Sequence, residues 1–184
     1  EHPSHPRSVI ERYMARQPRI VRYSVPIAAM ALTYLVVAVF VPIVNFQFID
    51  LDVRRQVVDN PHIRELSGEN LKHIFTSRCV TSYYPVRTLT YAVDHQFWGL
   101  SPRGFKLTNG LIHLANVLLV FWLILRLNHH GDTGRTSTDS WWDASVATVF
   151  AGVFAVHPVV VQPVIWVAGR EELLMTLGVL GCFH

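Results

Sequence analysis

The chain has 184 residues, of which 51% are hydrophobic and only 16% are charged, and its mean hydropathy is +0.28. Soluble domains carry about 25% charged residues, and here the charges are missing from whole stretches. Residues 23–49, 107–125 and 144–169 contain no Asp, Glu, Lys or Arg. Since about 20 apolar residues cross a bilayer core, this pattern argues against a soluble enzyme. The composition also excludes a disordered or collagen-like chain.

The first predicted membrane span covers residues 24–46, with Pro26 and Pro42 near its ends, where a missing N–H costs least. Basic residues cluster before it, at Arg7, Arg12, Arg16, Arg19 and Arg22. Because basic residues flank spans on the cytoplasmic side, residues 1–22 are predicted to form a cytoplasmic segment. The other basic residues are dispersed, so the net charge of +3 does not indicate a nucleic-acid partner.

A polar segment of residues 47–106 follows and is predicted to lie outside, in the periplasm or lumen. It contains three short helical patterns, at 52–58, 66–74 and 88–98. Asp52 is the expected N-cap of the first, and a Ser67-x-x-Asn70 start indicates the second. Such amphipathic pieces suit helices that lie on the membrane surface.

The remaining spans are predicted at 107–126, from Trp141-Trp142 to His157-Pro158, and from about residue 173 onward. The loop 127–140 would then be inside and residues 157–172 outside. We therefore expect an all-α polytopic membrane helix bundle with about four spans over residues 23–184. Because the chain starts at Glu1 and stops within an apolar stretch, we expect it to be the amino-terminal part of a longer protein.

The acidic residues Asp50 and Asp52 come directly after the first span. A carboxylate at that depth could act as general base on an acceptor hydroxyl, or help to hold a divalent cation such as Mg²⁺ or Mn²⁺ against a phosphate. The alternative is a helix cap with an ordinary interfacial acid.

Three polar residues, Asn109, His113 and Asn116, recur at helical spacing in the second span and share one face. Polar groups at membrane depth usually face the bundle or a wet cavity. They indicate either interhelical hydrogen bonds, worth about 0.6–2 kcal/mol each, or direct contacts with a substrate.

Arg87 is a candidate for binding a phosphate or pyrophosphate, because a guanidinium makes paired contacts with oxyanions. The alternative is an interfacial arginine bound to lipid head groups. Arg170, Glu171 and Glu172 open the fourth apolar stretch, and by themselves they suit snorkelling charges and an acidic first helical turn.

Four blocks in this order resemble the transmembrane and tetratricopeptide repeat (TMTC-like) family over about residues 30–180. The blocks are Phe48-Ile49-Asp50-Leu51-Asp52-Val53-Arg54-Arg55 with Asp59-Asn60-Pro61-His62, Tyr83-Tyr84-Pro85 with Leu89 and Asp94, Phe97 to Phe105 with Thr108-Asn109 and His113, and Phe154-Ala155-Val156-His157-Pro158-Val159 with Val164 to Leu174.

The resemblance implies a GT-C type membrane glycosyltransferase similar to the protein O-mannosyltransferases. Such a protein takes a sugar from a polyprenyl-phosphate carrier and transfers it to a protein or glycan acceptor on the outer face of a bacterial cell membrane or of the endoplasmic reticulum membrane. Family members usually carry two adjacent aspartates in the first outer loop. Here Asp52 matches the first, and Val53 replaces the second. Tyr84 stands before Pro85, where the family often has arginine.

Under this hypothesis Asp52 is the base, with Asp50 as its substitute. Arg87 and Arg170 bind the donor phosphate, and the site is lined by His157, Glu171, Asn109 and His113. The alternative is a non-catalytic membrane anchor for downstream tetratricopeptide repeats that bind partners. A transporter ranks last, because His113 is the only ionisable residue near the middle of a span.

Overall fold

A computed structural model of the protein describes residues 19–48, 51–78, 83–129 and 137–183, and the regular secondary structure within these ranges consists of helices joined by short turns and loops. The helices are α1 (Arg19–Phe40), α2 (Leu51–Val53, continued by a π-helical turn over Arg54–Val58), α3 (Gly68–Thr76), α4 (Pro85–Trp98), α5 (Pro102–His129), α6 (Ser137–Val156), α7 (Pro158–Ile165) and α8 (Arg170–Cys182). Short 3-10 turns cover Val41–Asn45, Pro61–Ile63 and Val167–Gly169. The predicted all-α class is confirmed.

Two of the described helices, α1 and α5, are long and apolar enough to cross a membrane. A third span is present if α6 and α7, which meet at an angle of 54°, count as one bent element. The helix in the fourth apolar stretch, α8, has 13 residues. Helix α5 begins at Pro102, five residues before the predicted span at 107–126, so its first turn precedes the apolar stretch.

The membrane part has one apolar core, in which α6 packs against α1 and α5. Leu32 and Val36 of α1 are buried in it, as are Ala147, Ala151 and Ala155 of α6. Small side chains at helical spacing allow two helix backbones to approach closely, which is how helices associate in lipid. The alanine face therefore explains why α1 and α6 lie side by side although they are distant in sequence.

The third apolar stretch breaks at His157-Pro158, as predicted. Proline cannot donate a hydrogen bond to the preceding turn, and α7 starts anew at Pro158 with His157 as its N-cap. The Nδ1 atom of exposed His157 accepts a 3.3 Å hydrogen bond from the Val159 N–H. The chain therefore bends by 54° between α6 and α7 before it continues to α8.

The polar segment after the first span forms a second apolar core together with Val167–Gly169, and we call residues 51–78, 83–101 and 167–169 the cap. The amphipathic pieces of the cap pack on one another and on Phe105 of α5 through a shared set of buried side chains: Val53, Val57, Ile63, Ile74, Tyr91, Ala92, Val167 and Ala168. The predicted start of α3 is confirmed, since Ser67 Oγ accepts from the Asn70 N–H at 3.2 Å. Asp52 lies within the first turn of α2 and is not its N-cap.

Candidate functional site

The ring of Tyr91 on α4 lies close to two arginines. The Cζ atom of Arg170 is 4.7 Å from the ring centroid, and that of Arg87 is 5.9 Å away. Tyr91 is buried, and its hydroxyl donates a 2.7 Å hydrogen bond to the Val167 carbonyl. Tyr91 thereby fixes α4 against the turn that precedes α8. Both arginines predicted from the sequence thus belong to one cluster at the junction of α4, α5 and α8.

Arg170 is fully buried, and protein groups engage all three of its guanidinium nitrogens. Its Nε donates to Asn109 Oδ1 at 2.6 Å, and its Nη1 donates to Thr90 Oγ1 at 3.2 Å. Its Nη2 donates to the Phe105 carbonyl at 2.9 Å and lies 2.6 Å from Asp94 Oδ2, a close charge contact. With this set of partners, Arg170 ties the first turn of α8 to α4 and α5.

Asp94 balances the charge of Arg170 and is itself 4% exposed. Burial raises the pKa of the Asp94 carboxyl above its usual value, while the Arg170 guanidinium and the Thr108 hydroxyl act in the opposite direction. The Thr108 hydroxyl donates to Asp94 Oδ1 at 2.7 Å. The carboxylate is therefore held from two helices.

Arg87 is also buried, at 3% exposure, but its guanidinium is only partly used. Its Nη1 donates to Glu171 Oε2 at 3.1 Å, and its Cζ lies 4.7 Å from the Tyr84 ring. Its Nε and Nη2 are buried and have no hydrogen-bond partner within the described structure. Leaving a buried charged donor unpaired costs more than about 1–3 kcal/mol. The two unpaired nitrogens of Arg87 are therefore suited to bind a ligand.

An open cleft of about 270 Å³ lies beside Arg87. It is lined by Tyr83, Tyr84, Pro85, Val86, Arg87, Glu171, Leu174 and Met175. Glu171 belongs to the first turn of α8, and its side chain is 21% exposed. The cleft thus combines one guanidinium with spare donors, one carboxylate that orients it, and apolar side chains from α8. Such a surface can hold an anion attached to an apolar group.

The polar face of α5 binds backbone carbonyls of other helices. Asn109 Nδ2 donates to the Pro163 carbonyl at 3.1 Å, and Asn116 Nδ2 donates to the Leu173 carbonyl at 3.0 Å. His113 Nε2 lies 3.0 Å from the Ala155 carbonyl, so this nitrogen carries the proton. Pro163 and Ala155 lie where the helices end or break, and such carbonyls must be satisfied at membrane depth.

The interhelical hydrogen bonds that the spacing of this face indicated are therefore present. Asn109 also reaches the arginine cluster, because its Oδ1 accepts from Arg170. His113 is enclosed by rings, with the centroids of Phe40 and Phe154 at 5.2 and 5.8 Å.

The structure brings together Arg87, Arg170, Glu171 and Asn109 from the predicted set. Asp52 lies apart from their hydrogen bonds, exposed in the first turn of α2. That turn contacts Val167–Gly169, directly before Arg170. The other predicted acid, Asp50, lies outside the described residues.

A bound divalent cation finds no ligand set in the described part of the chain. No group of three His, Cys, Asp or Glu side chains converges there. Of the two predicted acidic ligands, Asp52 is the one that the structure describes, and its carboxylate is exposed.

Asp94, Thr90 and Tyr84 were not predicted as members of this site. A signal was available for Asp94, because Arg87, Tyr91 and Asp94 recur at intervals of four and three residues along one face of α4. No comparable local pattern joins Thr90 to Arg170, since that contact exists only once α8 packs on α4.

Comparison with known proteins identifies similar chains. The chain is 36% identical over 109 residues to a Drosophila melanogaster protein named protein O-mannosyl-transferase Tmtc3, a match that covers 55% of this chain and 12% of the relative. It is 31% identical over 106 residues to protein O-mannosyl-transferase F38B6.6 of Caenorhabditis elegans, covering 58% and 14%. It is 30% identical over 102 residues to protein O-mannosyl-transferase TMTC3 of Mus musculus, covering 55% and 10%.

This chain thus spans a small part of the length of these relatives. No family model matches the chain, and no solved structure matches it.

Proposed function

We propose that this chain is part of a membrane glycosyltransferase of the GT-C type and that it belongs to the transmembrane and tetratricopeptide repeat (TMTC-like) family, to whose members it is similar over about 100 residues. The donor is a sugar, mannose by analogy with the names of the relatives, carried on a polyprenyl phosphate. The acceptor is a protein hydroxyl on the periplasmic or luminal face.

The observation that carries the proposal is the Arg87 guanidinium, in which Nη1 is bound to Glu171 while Nε and Nη2 are unpaired. A buried, permanently charged group with two unpaired N–H donors suits a phosphate oxygen that approaches through the adjacent cleft. Tyr84 stacks over the guanidinium and is 41% exposed, so a rotation of its ring would open that approach. The apolar side chains of Leu174 and Met175 would continue the cleft along the first polyprenyl units.

The transfer step follows from this arrangement. The acceptor hydroxyl oxygen forms a bond to the anomeric carbon of the sugar, and Asp52 takes the hydroxyl proton, with Asp50 as its substitute. The bond between the anomeric carbon and the phosphate oxygen breaks, and the electron pair remains on the polyprenyl phosphate. Arg87 stabilises the negative charge that develops on this leaving group.

Glu171 and Arg170 serve as positioning residues in this proposal. Glu171 holds one edge of the Arg87 guanidinium, and Arg170 fixes the first turn of α8 from which Glu171 projects. Asn109 takes part through Arg170, while His113 and His157 line the region at the α7 turn.

The test uses the full-length protein in membrane vesicles with polyprenyl-phosphate mannose and an acceptor protein. Asp52→Asn should lower the transfer rate by about 10²–10⁴-fold, the usual contribution of a general base. Asp59→Asn is the control, because Asp59 is an exposed acid of the same segment that pairs with Arg54. Unchanged transfer by the Asp52→Asn variant would remove Asp52 from the mechanism.

A non-catalytic anchor for downstream repeats is the second candidate, and one observation favours it. Val53, at the position of the family's second aspartate, is 1% exposed and packs in the apolar core of the cap. A carboxylate there would have to be buried, so this chain has exchanged a second acid for packing. Absence of transfer by the unmodified full-length protein would favour the anchor.

A further inference from the structure

We propose that the cap carries a second anion site, which binds a phosphate monoester group and is separate from the Arg87 cleft. The site is a cavity of about 260 Å³, which we call the basic cavity, lined among others by Arg55, His62, His73, Arg78 and Tyr84. Tyr84 lies between the two spaces, since it also lines the Arg87 cleft.

The charge of the basic cavity favours an anion. Arg55 and Arg78 line it, and among the described residues neither has a carboxylate partner. The acid that lines the cavity, Asp59, is already paired, with its Oδ2 3.2 Å from Arg54 Nε. The two free guanidinium groups therefore leave an excess of positive charge. Guanidinium groups match the geometry of phosphate oxygens better than a point charge does.

Two histidines complete the wall. The rings of His62 and His73 are stacked, with centroids 3.5 Å apart and planes inclined by 14°. Asn70 fixes the tautomer of His62. The side-chain Nδ2 of Asn70 donates to the Glu65 carbonyl, so the Oδ1 of Asn70 is the atom that lies 3.2 Å from His62 Nδ1. Because an amide oxygen only accepts, Nδ1 of His62 carries the proton.

The same ring geometry disfavours a metal ion as the ligand. An imidazole binds a metal through a lone pair that lies in the plane of the ring. Two nearly parallel rings stacked face to face cannot direct both lone pairs at one ion. The arginines would also repel a cation, so an anion is the ligand that this combination of side chains favours.

The size of the cavity limits what can enter. Pockets for drug-sized ligands have volumes of about 300–1,000 Å³, and this cavity is just below that range. It suits a phosphate group with a small substituent and excludes a whole lipid chain. The phosphate could belong to a soluble molecule or to a lipid head group at the membrane surface, and the experiment separates these two sources.

The experiment measures equilibrium binding of radiolabelled inorganic phosphate to the full-length protein in phosphatidylcholine nanodiscs. The background is Arg87→Gln, which removes the proposed donor site, so that failure of one site is not mistaken for failure of the other. The double variant Arg55→Gln/Arg78→Gln should weaken binding at least tenfold. Arg103→Gln is the matched control, because Arg103 is an exposed arginine outside both lining sets.

Arg55→Lys/Arg78→Lys keeps the charge but loses the paired geometry, and it should bind with intermediate affinity. Nanodiscs that contain phosphatidate then identify the source. Displacement of labelled phosphate by phosphatidate assigns the cavity to a lipid head group, and unchanged binding assigns it to a soluble phosphate. The proposal is overturned if the double glutamine variant binds phosphate as tightly as its parent, or if Arg103→Gln weakens binding equally.

Discussion

The Arg170 guanidinium and the Asp94 carboxylate form a buried ion pair, with Nη2 and Oδ2 2.6 Å apart. The pair joins the first turn of α8 to the middle of α4, and both side chains are almost completely shielded from solvent. Burying two charges is favourable only when their remaining polar atoms are also satisfied. Here Asn109, Thr90 and Phe105 engage the other donors of Arg170, and Thr108 binds the other carboxylate oxygen.

Replacement of Asp94 by alanine should destabilise the fold by about 3–5 kcal/mol, because it leaves Arg170 buried and uncompensated. Asp59→Ala is the matched control. Its ion pair with Arg54 is exposed on both sides, and such pairs contribute about 0–1 kcal/mol. The free energy of unfolding in mixed detergent micelles measures both changes. A double variant, Asp94→Leu/Arg170→Met, should recover stability, and equal losses for Asp94→Ala and Asp59→Ala would contradict the role of the buried pair.

The Glu171→Gln variant tests whether Glu171 orients Arg87. The amide is a weaker acceptor for Arg87 Nη1 than the carboxylate, so the guanidinium should be less well held. We expect kcat/KM for the polyprenyl-phosphate sugar to fall about tenfold, mainly through a higher KM, which corresponds to about 1.4 kcal/mol. Glu172→Gln is the control, because Glu172 is the exposed neighbour in the same helical turn. Equal effects of the two substitutions would indicate only a general effect of charge at the start of α8.

The asparagines of α5 should differ in their contribution to stability. Asn116→Leu removes one interhelical hydrogen bond, to the Leu173 carbonyl, and should cost about 0.6–1.7 kcal/mol. Asn109→Leu should cost more, because it frees the Pro163 carbonyl and also leaves Arg170 Nε without its acceptor. Unfolding of the two variants side by side gives the comparison. A smaller loss for Asn109→Leu than for Asn116→Leu would show that the Arg170 contact contributes nothing.

Two glycines of α5 provide a test of packing between α5 and the end of α4. A Cβ atom at Gly104 would collide with Cβ and Cγ of Trp98, and we expect Gly104→Ala to destabilise the protein by about 1–3 kcal/mol. At Gly110 a Cβ atom would meet no atom within 4 Å. Gly110→Ala should therefore be neutral or stabilising by up to about 1 kcal/mol, since alanine favours helix. The melting temperature should fall for Gly104→Ala and should stay unchanged or rise for Gly110→Ala. Equal decreases in the two variants would contradict the role of the Gly104–Trp98 contact.

Local patterns were sufficient for several of the helical elements. The charge-free stretches marked α1 and α5, His157-Pro158 marked the break after α6, and Ser67-x-x-Asn70 marked the start of α3. Each of these signals depends on a few neighbouring residues, because a proline removes a hydrogen bond and a serine caps a turn whatever the rest of the chain does. Asp52 did not follow its local pattern, since the helix there begins at Leu51.

By itself, then, the sequence determined that the chain is a helical membrane protein, and it contains blocks that resemble one family. It did not distinguish Arg87 from Arg170, because both are arginines near the start of a helix and both were predicted to bind the donor phosphate. Only the tertiary structure separated them. Packing of α8 on α4 and α5 surrounds Arg170 with acceptors and leaves two donors of Arg87 unpaired. The hydrogen-bond partners of a buried guanidinium come from distant parts of the chain, and no local pattern encodes them.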